Sequence, residues 1–252
     1  MIRQYDQLRV DIRSSQAEAG AAAAEQFAEV VGKALATRDH IAVILATGNS
    51  QLAFIEAATS RDDIDWSRIT VLHMDEYLGM DENHPASFRK WMQDNVVSRV
   101  ELGGFEGVRG DHEPVEEEVE RYTRLLEELD PEVCVMGIGE NGHLAFNDPP
   151  ADFDEKRAVR VIAMDEVSRR QQVGEGHFPS LDETPTHAIS LSIPALLKPR
   201  CVIVNTPEPR KAAIVKASLE GPITPDVPAS HLRTQSHVTL YLDADSSALL
   251  EP

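Results

Sequence analysis

The chain has 252 residues, of which 42% are apolar and 27% charged, and its formal net charge is −19. This composition is that of a soluble globular protein with a core of ordinary size. The acidic balance excludes nucleic acid as a partner, because a phosphate backbone is met by clustered Lys and Arg side chains. It leaves room for a small anion, which a few N–H groups and cations can hold. No apolar stretch approaches the roughly twenty residues that span a bilayer, so we expect no membrane association.

The N-terminus and the cysteines predict a cytoplasmic location. Residues 1–15 lack the apolar core of a signal peptide. Cys134 and Cys201 each lie in an apolar, strand-like run, where a cysteine usually acts as a small buried hydrophobe. Two such residues do not form a disulfide framework, which favours a reducing compartment.

Apolar runs rich in Val and Ile predict strands, and helical patterns lie between several of them. In chain order these are helix 16–35, strand 41–47, helix 51–59, strand 69–75, helix 115–129, strands 133–139, 158–164, 187–193 and 201–205, helix 207–219 and strand 237–243. Most strand runs are continuous rather than alternating, which is typical of strands covered on both faces. We therefore predict one α/β domain over residues 1–252, a doubly wound, mainly parallel sheet with helices on both faces.

Polar residues come directly after four of the predicted strands. They lie at 47–50, 75–76, 140–143 and 206–211. In open α/β sheets, ligands bind outside the carboxyl ends of the strands, so these segments are expected to form one pocket. The loops at 144–157 and 174–186 are long for such a fold, which also points to function.

The turn after the first strand suggests an anion site. Thr47, Gly48, Asn49 and Ser50 join a strand to a helix, and a tight turn of this kind can hold phosphate through backbone N–H groups and the helix dipole. The Gly-Lys-Ser/Thr ending of a nucleotide P-loop is missing, so ATP is not implied. The alternative is an ordinary turn with Asn49 or Ser50 as the N-cap.

The turn after the second strand begins with two acidic residues. Asp75 or Glu76 could act as a general base there, or merely cap the next segment of the chain. His73 and His84 nearby invite a metal interpretation together with Asp75. However, neither the H-E-x-x-H motif nor paired cysteines accompany them, so we predict no metal.

The stretch at 137–150 contains a G-x-G-x-x-G pattern formed by Gly137, Gly139 and Gly142, with Asp165 about twenty residues further on. This is the fingerprint of a dinucleotide site, which needs a long helix directly after the glycines. The sequence Asn-Asp-Pro-Pro at 147–150 leaves no room for that helix. A dinucleotide cofactor is therefore not predicted.

The same stretch supports a proton-transfer pair. His143 and Asp148 lie five residues apart, so a tight turn could bring the carboxylate to the imidazole. A carboxylate partner orients a His and favours its charged form, which suits acid or base chemistry. The alternative is that His143 caps a turn and Asp148 caps a short helix. The local sequence leaves both open.

Three further side chains are candidates for anion contacts. Lys211 stands at the start of the helix at 207–219, where the positive end of the helix would favour a phosphate. Arg210 beside it is equally plausible, and either could instead be a solvated surface cation. His177 lies in the loop at 174–186, where a histidine is more often a surface residue than a ligand.

Four motifs read together carry a family resemblance. ATGNSQ, MDEYLGM with HPASF after it, GIGENGHLAFNDP and PRKA occur in this order between about Ile41 and Leu242. The chain thereby resembles the glucosamine-6-phosphate deaminase/isomerase family, whose sister group, the 6-phosphogluconolactonases, shares the glycine motif but not MDEY. The resemblance implies a modified Rossmann-like fold, no cofactor, and an enzyme of amino-sugar catabolism that converts an amino-sugar phosphate to fructose 6-phosphate and ammonia. A homo-oligomer is compatible with it.

The resemblance also assigns roles. Asp75 matches the base that moves a proton between C2 and C1, and His143 matches the residue that opens the sugar ring. Asn141 and Asp148 match the residues that support this His. The expected substrate and phosphate contacts are Thr47, Gly48, Asn49, Ser50, Glu76, Gly139, Gly142, His177 and Lys211.

Two departures from the family pattern stand out. The usual Glu after AFN is Asp148 here, one methylene shorter, and the Arg expected before Phe178 is His177. These changes would fit another amino-sugar phosphate such as the galactosamine epimer, and the segments for the family's allosteric effector are not matched. Lactone hydrolysis and a non-catalytic sensor are the alternatives. Asp75 argues against the first, because lactone hydrolysis needs no carbon-acid base, and Asp75 with His143 argues against the second.

Overall fold

The computed structural model describes residues 1–251, which form two sheets surrounded by helices. The strands are β1 (Ile2–Tyr5), β2 (Leu8–Ile12), β3 (Ile41–Leu45), β4 (Ile69–His73), β5 (Asp75–Tyr77), β6 (Gly104–Glu106), β7 (Val133–Met136), β8 (Val159–Ala163), β9 (His187–Leu191), β10 (Cys201–Asn205) and β11 (Val238–Leu242). The α-helices are α1 (Gln16–Leu35), α2 (Leu52–Thr59), α3 (Phe88–Met92), α4 (Val115–Leu129), α5 (Glu166–Gly174), α6 (Ile193–Leu197) and α7 (Ala212–Glu220).

The main sheet has the strand order β1-β2-β11-β10-β7-β3-β4-β6. Only β1 is antiparallel to its neighbour, and the other adjacent pairs are parallel. Strand order runs outward from the β3–β7 pair in opposite directions, through β4 on one side and β10 on the other. A crevice opens at such a switch point, where the connections leave toward opposite faces of the sheet.

Both faces of the main sheet are covered, as the continuous apolar runs predict. Along β3, Ala42 and Ile44 lie in one core cluster, and Val43 and Leu45 lie in the other. The first cluster includes residues of α4 and α7, and the second is covered by α1 and α2. The predicted fold class, a mainly parallel α/β sheet with helices on both faces, is confirmed.

Two of the seven predicted strands belong to a different sheet. The runs at 158–164 and 187–193 form β8 and β9, which pair antiparallel with each other, and β9 also pairs with β5. Placing these runs in the parallel sheet was therefore wrong. In β8, Val159 packs in the first core cluster and Ile162 packs in a third cluster with Phe146 and Ala188, so both faces of this smaller sheet contribute to the core although Val161 is 36% exposed. β1, β2, β5 and β6 were not predicted, because they are short or lack a continuous apolar run.

The four predicted helices are present, with small differences at their starts. A 3₁₀ turn at Asn49–Gln51 precedes α2, and another at Pro209–Lys211 precedes α7, so the last helix begins later than the pattern from 207 suggested. α3, α5 and α6 were not predicted. No helix within residues 1–251 is long and apolar enough to cross a membrane.

Candidate active site

A cavity lies at the carboxyl ends of β3, β7 and β10, beside the start of β5. Its wall combines the turn after β3, the glycine turn after β7, and residues of α5 and the loop after it. The lining residues are Ala46, Thr47, Gly48, Asn49, Ser50, Met74, Asp75, Phe88, Gly137, Ile138, Gly139, His143, Ala145, Phe146, Gln171, Gln172, Glu175, His177, Arg210 and Lys211. The four strand ends singled out in the sequence therefore converge, as expected.

The turn after β3 presents backbone N–H groups to this cavity. Gly48 has φ of +96°, a left-handed conformation that favours glycine. Within the described chain, no side chain caps the 3₁₀ turn that starts at Asn49 or the adjoining α2 helix. The alternative of an Asn49 or Ser50 N-cap is therefore wrong, and the first N–H groups remain available to an anion.

Ser50 is held by a chain of amides that reaches it from β10. Asn205 Nδ2 donates to Gln51 Oε1 at 3.2 Å, and Gln51 Nε2 donates to Ser50 Oγ at 2.9 Å. Because Ser50 Oγ accepts this bond, its own proton is free to be donated elsewhere. The turn thus offers a hydroxyl donor alongside its backbone N–H groups.

Lys211 provides a buried cation that lines the same cavity. It ends the 3₁₀ turn before α7 and is only 3% exposed. Burial, and then the neighbouring Arg210 charge, lower the pKa of Lys211 to about 8. Its position at the start of α7 confirms the placement expected from the sequence.

Arg210 and His177 reach the same side of the cavity but are bound by carboxylates. Arg210 contacts Glu140 and Glu175, each at 2.9 Å, and His177 Nε2 lies 3.5 Å from Glu175 Oε2. Burial would raise the pKa of Glu175, but hydrogen bonds from His177 and Gln171 and the Arg210 charge bring it down to about 2. Glu175 is therefore ionised and holds both side chains in place.

Asp75 begins β5 and lines the cavity, whose apolar lining residues include Phe88 and Phe146. It is 7% exposed, and its carboxylate makes no hydrogen bond to any residue of the described chain. Burial, and then the adjacent Glu76 charge, raise the pKa of Asp75 to about 8. A carboxyl group in this state is a far stronger base than an exposed one.

Glu76 does not reach the cavity, which corrects its assignment as a substrate contact. It is fully buried, and its carboxylate accepts N–H bonds from Tyr77, Phe88 and Arg89 at 3.0 to 3.1 Å. The Ser87 hydroxyl adds a fourth bond at 2.8 Å. Glu76 therefore anchors the start of α3. Adjacent strand residues point to opposite faces, so Asp75 and Glu76 could not both face the ligand.

The imidazole of His143 lies directly over Gly139. A Cβ on Gly139 would sit 2.2 Å from two of the ring atoms, so only glycine leaves room for the ring. Asn141 Oδ1 accepts the His143 backbone N–H at 3.1 Å and lies 2.7 Å from Nδ1. This arrangement assigns the ring proton to Nδ1, because an amide oxygen can only accept. Nε2, which has no partner among residues 1–251, is then free to exchange a proton with a ligand.

Asp148 completes the pair with His143 and also holds a helix start. Its Oδ1 lies 3.2 Å from His143 Nδ1 and accepts from Asn141 Nδ2 at 3.0 Å, while its Oδ2 accepts the Asp165 N–H at 2.9 Å. Burial would raise the pKa of Asp148, but His143, Asn141 and Ser168 lower it to about 2. The pairing predicted from the sequence is present. The alternative, in which Asp148 caps a short helix, is not observed, because the N-cap of α5 is Asp165.

The expected site residues divide into four groups. Those that line the cavity are Thr47, Gly48, Asn49, Ser50, Asp75, Gly139, His143, His177 and Lys211. Asn141 and Asp148 contact the His143 ring at Nδ1 but do not line the cavity, and Glu76 is buried elsewhere. Gly142 shapes the turn, with φ of +89°, rather than lining the cavity.

Sequence reasoning missed the contribution of α5. Gln171, Gln172 and Glu175 line the cavity from this helix and the residue after it. Asp165 is its N-cap, accepting from the Val167 N–H, and Gly174 is its last residue. An Asp with an acidic first turn after it is a recognisable helix start, but the helical face that meets the cavity depends on the tertiary structure.

Comparisons with known proteins place this chain in a family. Residues 14–241 match the family described as glucosamine-6-phosphate isomerases/6-phosphogluconolactonase. A glucosamine-6-phosphate deaminase of Streptococcus pneumoniae (strain Hungary19A-6) is 33% identical over 207 residues, which cover 82% of this chain and 86% of that protein.

Solved structures extend the similarity. A monomeric glucosamine-6-phosphate deaminase is 26% identical, with a TM-score of 0.87 over 95% of this chain and 99% of the other. A 6-phosphogluconolactonase from Thermotoga maritima is 18% identical, with a TM-score of 0.73 over 93% of this chain and 98% of the other, which shows a shared fold. The chain therefore belongs to the glucosamine-6-phosphate isomerase/6-phosphogluconolactonase family.

Proposed function

We propose that the protein converts glucosamine 6-phosphate to fructose 6-phosphate and ammonia by aldose–ketose isomerisation and deamination. The observation that carries the proposal is one cavity lined by a basic carboxyl group, Asp75, an oriented imidazole, His143, and a buried cation, Lys211. The similarity to glucosamine-6-phosphate deaminases supports the same reaction.

The phosphate would bind at the turn after β3. The free N–H groups at 48–50, the Ser50 hydroxyl and the Lys211 ammonium supply donors from different directions. Arg210, next to Lys211, is the residue that we propose in place of the arginine that the family pattern expects at His177. It lines the cavity and would exchange its contact with Glu175 for a phosphate oxygen.

Ring opening would be the task of His143. With the ring proton on Nδ1, Nε2 accepts the proton of the C1 hydroxyl and returns a proton to the ring oxygen. The bond between C1 and the ring oxygen breaks as the C1 carbonyl forms, so the step is balanced without any other reactant. Asn141 and Asp148 hold the ring so that Nε2 stays directed to the sugar.

Isomerisation would be the task of Asp75. Its carboxylate removes the C2 proton of the open-chain amino aldehyde and delivers it to C1, while the amino nitrogen gives up one proton and O1 takes one up, which gives the ketimine at C2. Water then adds to C2 and ammonia leaves, producing fructose 6-phosphate. A substrate ammonium beside Asp75 would favour the ionised carboxylate, and a positioned base of this kind contributes roughly a hundred- to ten-thousandfold.

The proposal is tested by offering the purified protein glucosamine 6-phosphate and galactosamine 6-phosphate while measuring ammonia and fructose 6-phosphate. 6-Phosphogluconolactone is offered in parallel. Ammonia from glucosamine 6-phosphate is the expected result. Ammonia from the galactosamine epimer alone would reassign the substrate. Lactone hydrolysis without ammonia would replace the proposal with a lactonase, and a ligand that binds without turnover would indicate a sensor.

A further inference from the structure

Ser168 is a buried hydroxyl that the proposed reaction does not use. It is the third residue of α5, it is fully buried, and it does not line the cavity. Its Oγ lies 2.8 Å from His143 Nδ1 and donates to Asp148 Oδ1 in a short hydrogen bond. Ser168 therefore bridges the two members of the proton-transfer pair.

The bridge through Ser168 matters because His143 lies closer to the Ser168 hydroxyl than to the Asp148 carboxylate. His143 Nδ1 lies 2.7 Å from Asn141 Oδ1 and 2.8 Å from Ser168 Oγ, but 3.2 Å from Asp148 Oδ1. A single Nδ1 proton can be shared among these oxygens, and only Asp148 carries charge. Since the Ser168 hydroxyl proton points to Asp148, its oxygen is left as an acceptor for the ring, which carries the effect of the charge to the imidazole.

We propose that Ser168 is a positioning residue for ring opening, which connects Asp148 to His143 and fixes both the distance of the carboxylate and the orientation of the ring. The inference rests on the proposed role of His143 in opening the sugar ring. It extends the catalytic machinery to α5, a helix that touches the cavity only through other residues.

The placement of α5 supports this role. Asp148 accepts the Asp165 N–H at the start of the helix, and the Tyr77 hydroxyl donates to Gln172 Oε1 at 2.6 Å further along it. These two contacts tie α5 to the glycine turn and to β5, so the helix has little freedom to shift. A rigid helix holds a side-chain oxygen more precisely than a loop does.

Ser168 also occupies the space into which a longer side chain at 148 would extend. Because Ser168 Oγ contacts both Asp148 and the ring, an added methylene of about 1.5 Å at position 148 would drive the carboxylate into the hydroxyl. Removing the hydroxyl would free that space. Asp148 together with Ser168 therefore fills about the same volume as a glutamate at position 148 together with an alanine at position 168.

The first test compares Ser168→Ala with the wild-type enzyme on glucosamine 6-phosphate and on an analogue locked in the open-chain form. We expect kcat on the cyclic substrate to fall about tenfold, the effect of one hydrogen bond to a charged group, with KM unchanged and the open-chain reaction unaffected. Alanine is the stronger helix former, so α5 is expected to remain folded. Ser218→Ala removes a buried helical hydroxyl in α7 that bonds only to the Ile214 carbonyl, and it should leave both reactions unchanged.

Double variants separate positioning from simple packing. In an Asp148→Asn background the Ser168→Ala change should cost little more, because there is no charge left to connect, and Asp148→Glu should be active only when combined with Ser168→Ala. Additive losses, equal losses on both substrates, or a Glu variant that is indifferent to residue 168 would each overturn the inference.

A measurement on the resting protein keeps the inference separate from the proposed reaction. Heteronuclear NMR of nitrogen-labelled histidine, with the His143 signals identified by their loss in His143→Gln, should show a downfield Nδ1 proton resonance in the wild type, because that proton is shared with the Ser168 hydroxyl bonded to Asp148. In Ser168→Ala, Asn141 still holds the proton on Nδ1, but the resonance should move upfield. An unchanged resonance would overturn the inference even if ammonia is released. Absence of ammonia release by the wild type, with the resonance shift present, would instead refute the proposed function and leave the Ser168 contact established.

Discussion

The two ends of the cavity are formed by different kinds of groups. The proton-transfer end is defined as Asp75, His143, Asp148 and Ser168. Asp75, His143 and Ser168 are buried, and hydrogen bonds hold the His143 ring in place. At the phosphate end, defined as residues 47–50 with Arg210 and Lys211, the donors are N–H groups at the start of a helix and cations.

The two ends also differ in which side chains must change partners when a phosphorylated substrate binds. In the resting state Arg210 is bound to Glu140 and Glu175, so a phosphate has to compete for it, whereas the His143 ring is already supported from behind. The hydrogen bonds that orient His143 before the substrate binds act on the reacting atoms and lower the barrier to the reaction. The contacts that a phosphate gains on binding stabilise the bound substrate and the transition state equally. The proton-transfer end should therefore govern kcat and the phosphate end KM.

The largest effect is expected from Asp75→Asn. Loss of the base should lower kcat for ammonia release by about a hundred- to ten-thousandfold and leave KM nearly unchanged. The measurement pairs steady-state kinetics with exchange of the C2 proton in deuterated solvent. Asp63→Asn, which changes an exposed carboxylate paired with Arg61, is the matched control. Exchange that persists in Asp75→Asn would move the role of base to another residue.

Lys211→Ala tests the phosphate end. A charge-assisted contact to phosphate is worth roughly 1.5 to 3 kcal/mol, so KM should rise about ten- to a hundredfold while kcat stays close to the wild-type value. Lys216→Ala, in the same helical segment but paired with Glu220 and Glu251, should change neither constant. If kcat falls and KM does not, Lys211 acts on the reacting atoms and the division between the two ends is wrong.

Asp148→Asn separates the two contacts that Asp148 makes. The substitution keeps the shape and the oxygen facing the Asp165 N–H but removes the charge opposite His143, so reaction of the cyclic substrate should slow about tenfold. Activity on an analogue locked in the open-chain form should persist. An equal loss on both substrates would leave Asp148 only its structural role at the start of α5.

The smallest effect is expected in the pH profile. The pKa of Asp75 and that of Lys211 both lie at about 8, the first raised and the second lowered mainly by burial. Below pH 8 the free enzyme loses the ionised base, and above it loses the cation, so kcat/KM should peak near pH 8 after correction for titration of the substrate. Lys211→Arg should extend the alkaline side, because arginine stays charged. A flat profile from about pH 7 to 9 would show that burial does not tune these groups.

Much of the architecture can be predicted from local sequence. The apolar runs at 41–47, 69–75, 133–139, 201–205 and 237–243 mark strands of the main sheet, because a strand buried on both faces needs a continuous apolar run. The segments after four of the predicted strands could then be assigned to one edge, since parallel strands share their carboxyl ends. The turns with their glycines and the position of Lys211 are predicted in the same way.

Other features required the folded chain. The runs at 158–164 and 187–193 read as strands and pair antiparallel with each other, but β9 also pairs with the short β5, whose residues lie more than a hundred positions earlier in the sequence. Ser168 gives no local signal at all, since a serine in a polar helix is ordinary until the helix is packed against residues 143 and 148.

The sequence by itself determined which segments meet at the carboxyl edge of the sheet, because periodicity and turn chemistry are local properties. Only the tertiary structure decided which side chain of each segment faces the ligand. Asp75 and Glu76 are chemically alike and adjacent, yet the alternation of a strand sends one into the cavity and the other to the start of α3. That choice is made by the packing of β5 between β9 and α3, contacts that no local pattern encodes.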